Sequence, residues 1–157
     1  MPPQPIPEGY HSINGALTVS DGAAAIDYYK KAFGATDRFV MHGPEGKIAH
    51  AELQIGDSVL MLSDPFPQGS TKPPSELGGS SASMMLYVDD VDAVVQSAVD
   101  EGATIAMPVE DMFWGDRFGT IIDPFGHVWS VATHVEDVPP DELEERGKAA
   151  MAAMAGS

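Results

Sequence analysis

His50 and Glu52 stand two residues apart in the segment Lys47–Ile55, where they alternate with Ala49, Ala51, Leu53 and Ile55. In an extended strand that period puts imidazole and carboxylate on one face. Such a pair can hold or move a proton, which makes Glu52 and His50 the candidate catalytic residues. With His127 and Asp116 they also offer the nitrogen and oxygen donors of a divalent-metal site. The competing reading is that the pair only makes hydrogen bonds on the sheet. Asp116 and Arg117 are neighbours, so in a strand they point opposite ways. Arg117 either anchors the Trp114–Gly119 segment or meets a ligand carbonyl or carboxylate. Phe113 and Trp114 present flat faces that either stack on a planar ligand or pack into the core. His11 and His134 are expected at the surface. The chain has no cysteine, which rules out disulfides, thiolate catalysis and Cys-based zinc sites.

The charge balance narrows the partners. Eight Lys and Arg face 24 Asp and Glu, a formal net charge of −16. Nucleic acid is not expected, because phosphates need a basic surface. A cationic ligand would be drawn in; the plainer reading is that the acids keep the protein soluble. Met1–Pro7 is Pro-rich and too polar for a signal peptide. No apolar run approaches the roughly 20 residues of a membrane span. We expect a cytoplasmic protein with no membrane partner.

Positioning these residues requires a repeated unit. A strand at Ile13–Val19 leads to Asp21, which suits a helix N-cap. Ala25, Ile26, Tyr29 and Phe33 recur at helical spacing, and Gly34 ends that helix. Strands follow at Thr36–Met41, Lys47–Ile55 and Ser58–Ser63. The pattern then restarts: a strand at Ser81–Val88, a helix opened by Asp89-Asp90 and closed by Gly102, and strands at Thr104–Val109, Arg117–Ile122 and His127–Thr133. Val19-Ser20-Asp21 matches Val88-Asp89-Asp90, and Gly34-Ala35-Thr36 matches Gly102-Ala103-Thr104. Such internal repetition sets an architecture. The expected fold is α+β: two βαβββ modules forming a curved mixed sheet around a cleft. The expected divisions are an N-terminal extension over 1–10, modules over 11–63 and 81–135, a flap or linker over 64–80, and an acidic, partly helical tail over 136–157.

Alternation also sorts the strand faces. Asn14, Ala16 and Thr18 share one side, as do His50, Glu52 and Gln54, Ser81, Ser83, Met85 and Tyr87, and Ser130 with Ala132. The opposite sides are apolar and should pack under the helices, Trp129 among them. The cleft wall is therefore small, neutral and partly polar, with Met and aromatic residues available, which suits an organic molecule.

The segments Ala25-Ile26-Asp27-Tyr28-Tyr29, Lys47–Glu52, Leu86–Asp92, Trp114–Gly119 and Asp123-Pro124-Phe125-Gly126-His127 occur in this order around the duplicated unit. Together they resemble the glyoxalase / bleomycin-resistance / dioxygenase superfamily, the vicinal oxygen chelate proteins, and within it the PhnB-like branch. The resemblance spans about Tyr10 to Val138 and implies one metal ligand, His, Glu or Gln, on the first and last strand of each module. The matching positions hold Asn14, Met61, Ser83 and Ser130. None is a usual ligand for a divalent ion.

The resemblance therefore implies a metal-free protein with no cofactor, in the manner of the bleomycin-resistance branch, which sequesters an antibiotic. The ligand would be an aromatic or cationic small molecule. Its binding residues would come from Asn14, Met61, Ser83, Met85 and Ser130, with His50, Glu52, Phe113, Trp114 and Arg117. Typical glyoxalase I or extradiol dioxygenase activity is not expected. The alternative is a lyase, isomerase or dioxygenase-type enzyme with a non-standard metal site or an acid/base pair in the cleft. The family pattern also implies a homodimer.

Overall fold

Helix α1 (Gly22–Phe33) begins where Asp21 accepts from the Ala24 N–H at 3.0 Å, and α3 (Val91–Asp100) begins where Asp90 accepts from the Ala93 N–H at 3.0 Å. Both caps satisfy amides that a first helical turn leaves free. Gly34 ends α1 in the left-handed conformation at φ 69°, which a residue without Cβ enters at no steric cost. These elements belong to a computed structural model that describes residues 1–156.

The remaining elements follow the expected order. The first module contributes β1 (Gly15–Thr18), β2 (Thr36–His42), β3 (Ile48–Ile55) and β4 (Ser58–Ser63). The second contributes β5 (Ser83–Tyr87), β6 (Thr104–Asp111), β7 (Asp116–Ile122) and β8 (Val128–His134). The fold is α+β, with two four-stranded mixed sheets ordered β1-β4-β3-β2 and β5-β8-β7-β6. In each, the first strand pairs parallel to the last and the other ladders are antiparallel.

Three details differ from expectation. The segment over 64–80 carries a short helix, α2 (Pro74–Leu77). Strand β6 runs past Pro108 to Asp111, with its register shifting between Met107 and Glu110, since proline cannot donate to the ladder. His134, expected beyond the last strand, is the final residue of β8 and pairs in register with Asp116, while its side chain is exposed as expected.

One core serves both modules. The α1 residues Tyr29 and Phe33 pack on Trp129 of β8, with ring centroids 5.4 and 4.7 Å away. Tyr29 donates to Asp123 Oδ2 at 2.5 Å, and Trp129 Nε1 donates to the same oxygen at 2.9 Å. Asp123 Oδ1 accepts from the Phe125 and His127 amides, so the buried carboxylate also shapes the turn between β7 and β8. Burial first, and the Asp123 charge second, push the Tyr29 hydroxyl far above its usual range, so it stays a donor. Tyr28 reaches the Ala98 carbonyl of α3 at 3.0 Å. The helix-side faces of both sheets thus feed a continuous apolar cluster. The other face of each sheet is open.

Candidate functional site

On the open face of the first sheet, His50 Nε2 lies 3.1 Å from Glu52 Oε1 along β3. Met61 of β4 sits opposite Glu52 in the ladder, and Phe39 and Met41 of β2 sit opposite Glu52 and His50. The N-terminal segment reaches this face. Arg38 donates to the Glu8 carbonyl at 3.1 Å and to Gln54 Oε1 at 2.9 Å, with its guanidinium 5.4 Å from the centre of the Tyr10 ring. Hydrogen bonds from the Tyr10 hydroxyl and from His50 hold the Glu52 carboxyl below the usual carboxylate range. A carboxylate stabilised in that way is a weak proton acceptor.

The open face of the second sheet is organised by Asp116, whose side chain is 4% exposed. Its Oδ2 accepts from the Tyr87 hydroxyl at 2.9 Å and from the Trp114 indole N–H at 3.1 Å. Its Oδ1 lies 2.8 Å from His134 Nδ1. Burial opposes the charged form, but these three donors outweigh it and lower the Asp116 pKa. His134 Nε2 turns to Asp137 at 2.8 Å. Asp137 first and Asp116 second raise the imidazole pKa. Trp114 meets Phe118 edge-on at 5.4 Å and Phe113 at 5.1 Å.

The structure divides the expected site residues between the two sheets. His50, Glu52 and Met61 belong to the first; Ser130 and Met85 are register partners in the second, with Ser83 two residues before Met85. Asn14 precedes β1, and its side chain holds the His11 backbone N–H and carbonyl at 3.0 and 2.7 Å. Asn14 and Met85 also line a crevice of about 170 Å3 between the sheets, whose walls include Leu60, Met84, Leu86 and Trp129. Arg117 lies on the helix side, donating to Asp92 of α3 at 2.7 and 2.9 Å and to Asp111 at 3.2 Å. His127 Nε2 donates to the Thr18 carbonyl at 2.8 Å. Phe113 is partly exposed beside α4 (Pro140–Ala155), where Gly147 approaches its ring.

Sequence reasoning did not single out Tyr10, Arg38, Tyr87 or His134 as site residues. Alternation already placed Tyr87 with Met85, and extending β8 by one residue would have placed His134 with Ser130. Tyr10 and Arg38 carry no such local signal.

The metal implied by the resemblance does not fit these residues. Asn14 is committed to local backbone, Met61 is a soft thioether, and Ser83 and Ser130 are neutral hydroxyls. The alternative donors are not assembled either: His127 bonds the Thr18 carbonyl, and Asp116 is in the other sheet from His50 and Glu52. Among the described residues no group of three or more His, Cys, Asp or Glu is placed to hold a metal ion.

Comparison with known proteins agrees with this architecture. Residues 11–131 match the model of the Glyoxalase/Bleomycin resistance protein/Dioxygenase superfamily, and the chain belongs to that superfamily. The uncharacterized protein Mb0911c of Mycobacterium bovis is 45% identical over 131 residues, covering 82% of this chain and 86% of that one. The Arabidopsis thaliana At5g48480 product is similar in structure, with TM-score 0.62, 29% identity, and coverage of 78% of this chain and 98% of that one. TioX from Micromonospora sp. ML1 is similar with TM-score 0.59, 25% identity, and coverage of 79% and 100%. No helix among the described residues is long and apolar enough to cross a membrane.

Proposed function

We propose that this chain is a metal-free binding protein for a small aromatic or cationic organic molecule, acting by sequestration. One observation carries the reading. The positions that match the metal ligands of this family hold Asn14, Met61, Ser83 and Ser130, with Met85 and aromatic residues beside them, where its metalloenzymes need imidazole or carboxylate. The acid/base alternative is weakened by Glu52, whose pKa is lowered by Tyr10 and His50, the reverse of what a general base at neutral pH requires.

Metal analysis of protein purified without chelator tests the reading. Less than a tenth of an equivalent of zinc, nickel, manganese or iron per chain is expected, and about one equivalent would overturn it. A melting panel of aromatic and cationic antibiotics supplies the positive arm, since a ligand at 100 times its dissociation constant adds about 2.7 kcal/mol.

The same faces support a homodimer. Phe39 and Met41 are 50 and 47% exposed, and a second copy covering them would complete the binding cleft. Sedimentation at micromolar concentration tests this: a single monomer boundary would count against it.

A further inference from the structure

We propose that the aromatic group Tyr87, Trp114 and Phe118 around Asp116 is the binding site of a quaternary ammonium group. The inference rests on the small-molecule-binding reading above and gives it a location and a ligand class.

The Tyr87 hydroxyl and the Trp114 indole N–H both end on one oxygen of Asp116, at 2.9 and 3.1 Å. Two aromatic rings therefore converge on a single buried carboxylate. Donating to an anion enriches each ring in electron density, and the fixed negative charge lies at their edges, shielded from water. Both effects strengthen the attraction of the ring faces for a cation. Phe118 supports Trp114 edge-on, so the indole is held in place rather than free to collapse onto the sheet. Tyr87 remains 58% exposed although its hydroxyl is anchored, which leaves its ring accessible. The carboxylate already takes three donors and its side chain is only 4% exposed, so an ammonium N–H does not reach it directly. The aromatic group therefore favours a cation whose charge is spread over alkyl groups.

The neighbouring arginines are already neutralised. Arg117 points to the helix side and pairs with Asp92 and Asp111, and Arg146 pairs with Glu136 and Glu142. His134 can itself become cationic. It faces Asp116 of β7 and Asp137 of its own segment, and it shares a recess with Tyr87 and Asp89 at the end of β5. Its protonation would offset the Asp116 charge, so ammonium affinity should rise with pH as His134 is titrated.

The test compares choline with neutral dimethylbutanol of the same shape, followed by NMR on the Trp114 indole N–H in the full chain. Choline is expected to bind about tenfold more tightly, the size of a partly desolvated cation–ring contact. Tyr87→Leu and Trp114→Leu should each weaken choline by about fivefold or more, while Tyr87→Phe, which keeps the ring but not the bond to Asp116, loses less. Far-UV dichroism establishes that each variant is folded. Equal affinity for the two probes, or choline binding untouched by both Leu variants, overturns the proposal. If neutral aromatic compounds raise the melting temperature while choline fails, the ammonium site falls and the binding reading stands. If no compound binds and a metal co-purifies at one equivalent, the binding reading falls as well.

Discussion

The Tyr29 hydroxyl of the first module donates to the Asp123 carboxylate of the second across 2.5 Å. Asp123 also accepts from Trp129 and from two amides of its own turn, so four donors depend on one buried side chain. The docking of α1 on β8 and the β7–β8 turn thereby share one acceptor. Tyr29→Phe should cost about 2 kcal/mol, because the carboxylate keeps its other donors. Asp123→Ala should cost about 3 kcal/mol or more, since it strands several donors in the core. Urea denaturation measures both, and equal costs would contradict the shared-acceptor account.

Asp64, the residue after β4, has a comparable role in holding the first module together. Its two oxygens accept from the Gly22 N–H at 2.9 Å and the Ile48 N–H at 2.7 Å, tying the start of α1 to β3. Asp64→Ala should destabilise by about 2–4 kcal/mol and speed hydrogen exchange at those two amides before the rest of the sheet. Uniform acceleration would show that the tether is not local.

The two groups on the second sheet give opposite pH signatures. The His134 pKa is raised in the folded protein, so its contribution is present in acid and fades as pH rises through the folded value. The Asp116 pKa is lowered, so its contribution is present above the usual carboxylate range and is lost as pH falls through its folded value. The stability difference between the wild type and His134→Gln should be widest between the ordinary carboxylate and histidine ranges and should shrink as pH rises through the raised folded value of His134. Paired melting curves across that range check it; a gap that widens toward alkaline pH has the wrong sign.

Gly115 positions Trp114 and Asp116. Its φ is 101°, and a Cβ there would collide with the Glu136 carbonyl, while the Gly115 carbonyl accepts from the Val135 and Glu136 amides. Gly115→Ala should therefore both destabilise the chain and shift the Trp114 indole resonance. An unchanged indole environment would show that the loop yields elsewhere.

Arg117→Gln should leave small-molecule binding unchanged. The guanidinium lies on the helix side with Asp92 and Asp111. Isothermal titration with any ligand found in the melting panel provides the check, and a large loss of affinity would mean that Arg117 leaves α3 to reach the ligand.

The duplicated unit, its helix caps and the inward face of each strand were legible in the sequence because they are local. Asp21 and Asp90 cap within three residues. Alternation in β3 separates Ala51 and Leu53 from His50 and Glu52 without reference to the rest of the chain. Residue type likewise gave the expectation that the positions matched to the family's metal ligands lack imidazole and carboxylate.

What the sequence could not supply was the meeting of distant segments. Tyr10 reaches Glu52, Tyr29 reaches Asp123, and Tyr87, Trp114 and His134 converge on Asp116 from separate stretches of chain. Periodicity assigns a side chain to a face but does not say which strand lies beside it. The candidate site residues, read as one set, fell on two sheets for that reason. By itself the sequence determined the two repeated units and the face on which each strand residue lies. Only the tertiary structure, through packing of α1 and α3 into a common core, decided which polar groups share an environment, and so where charge and aromatic surface combine.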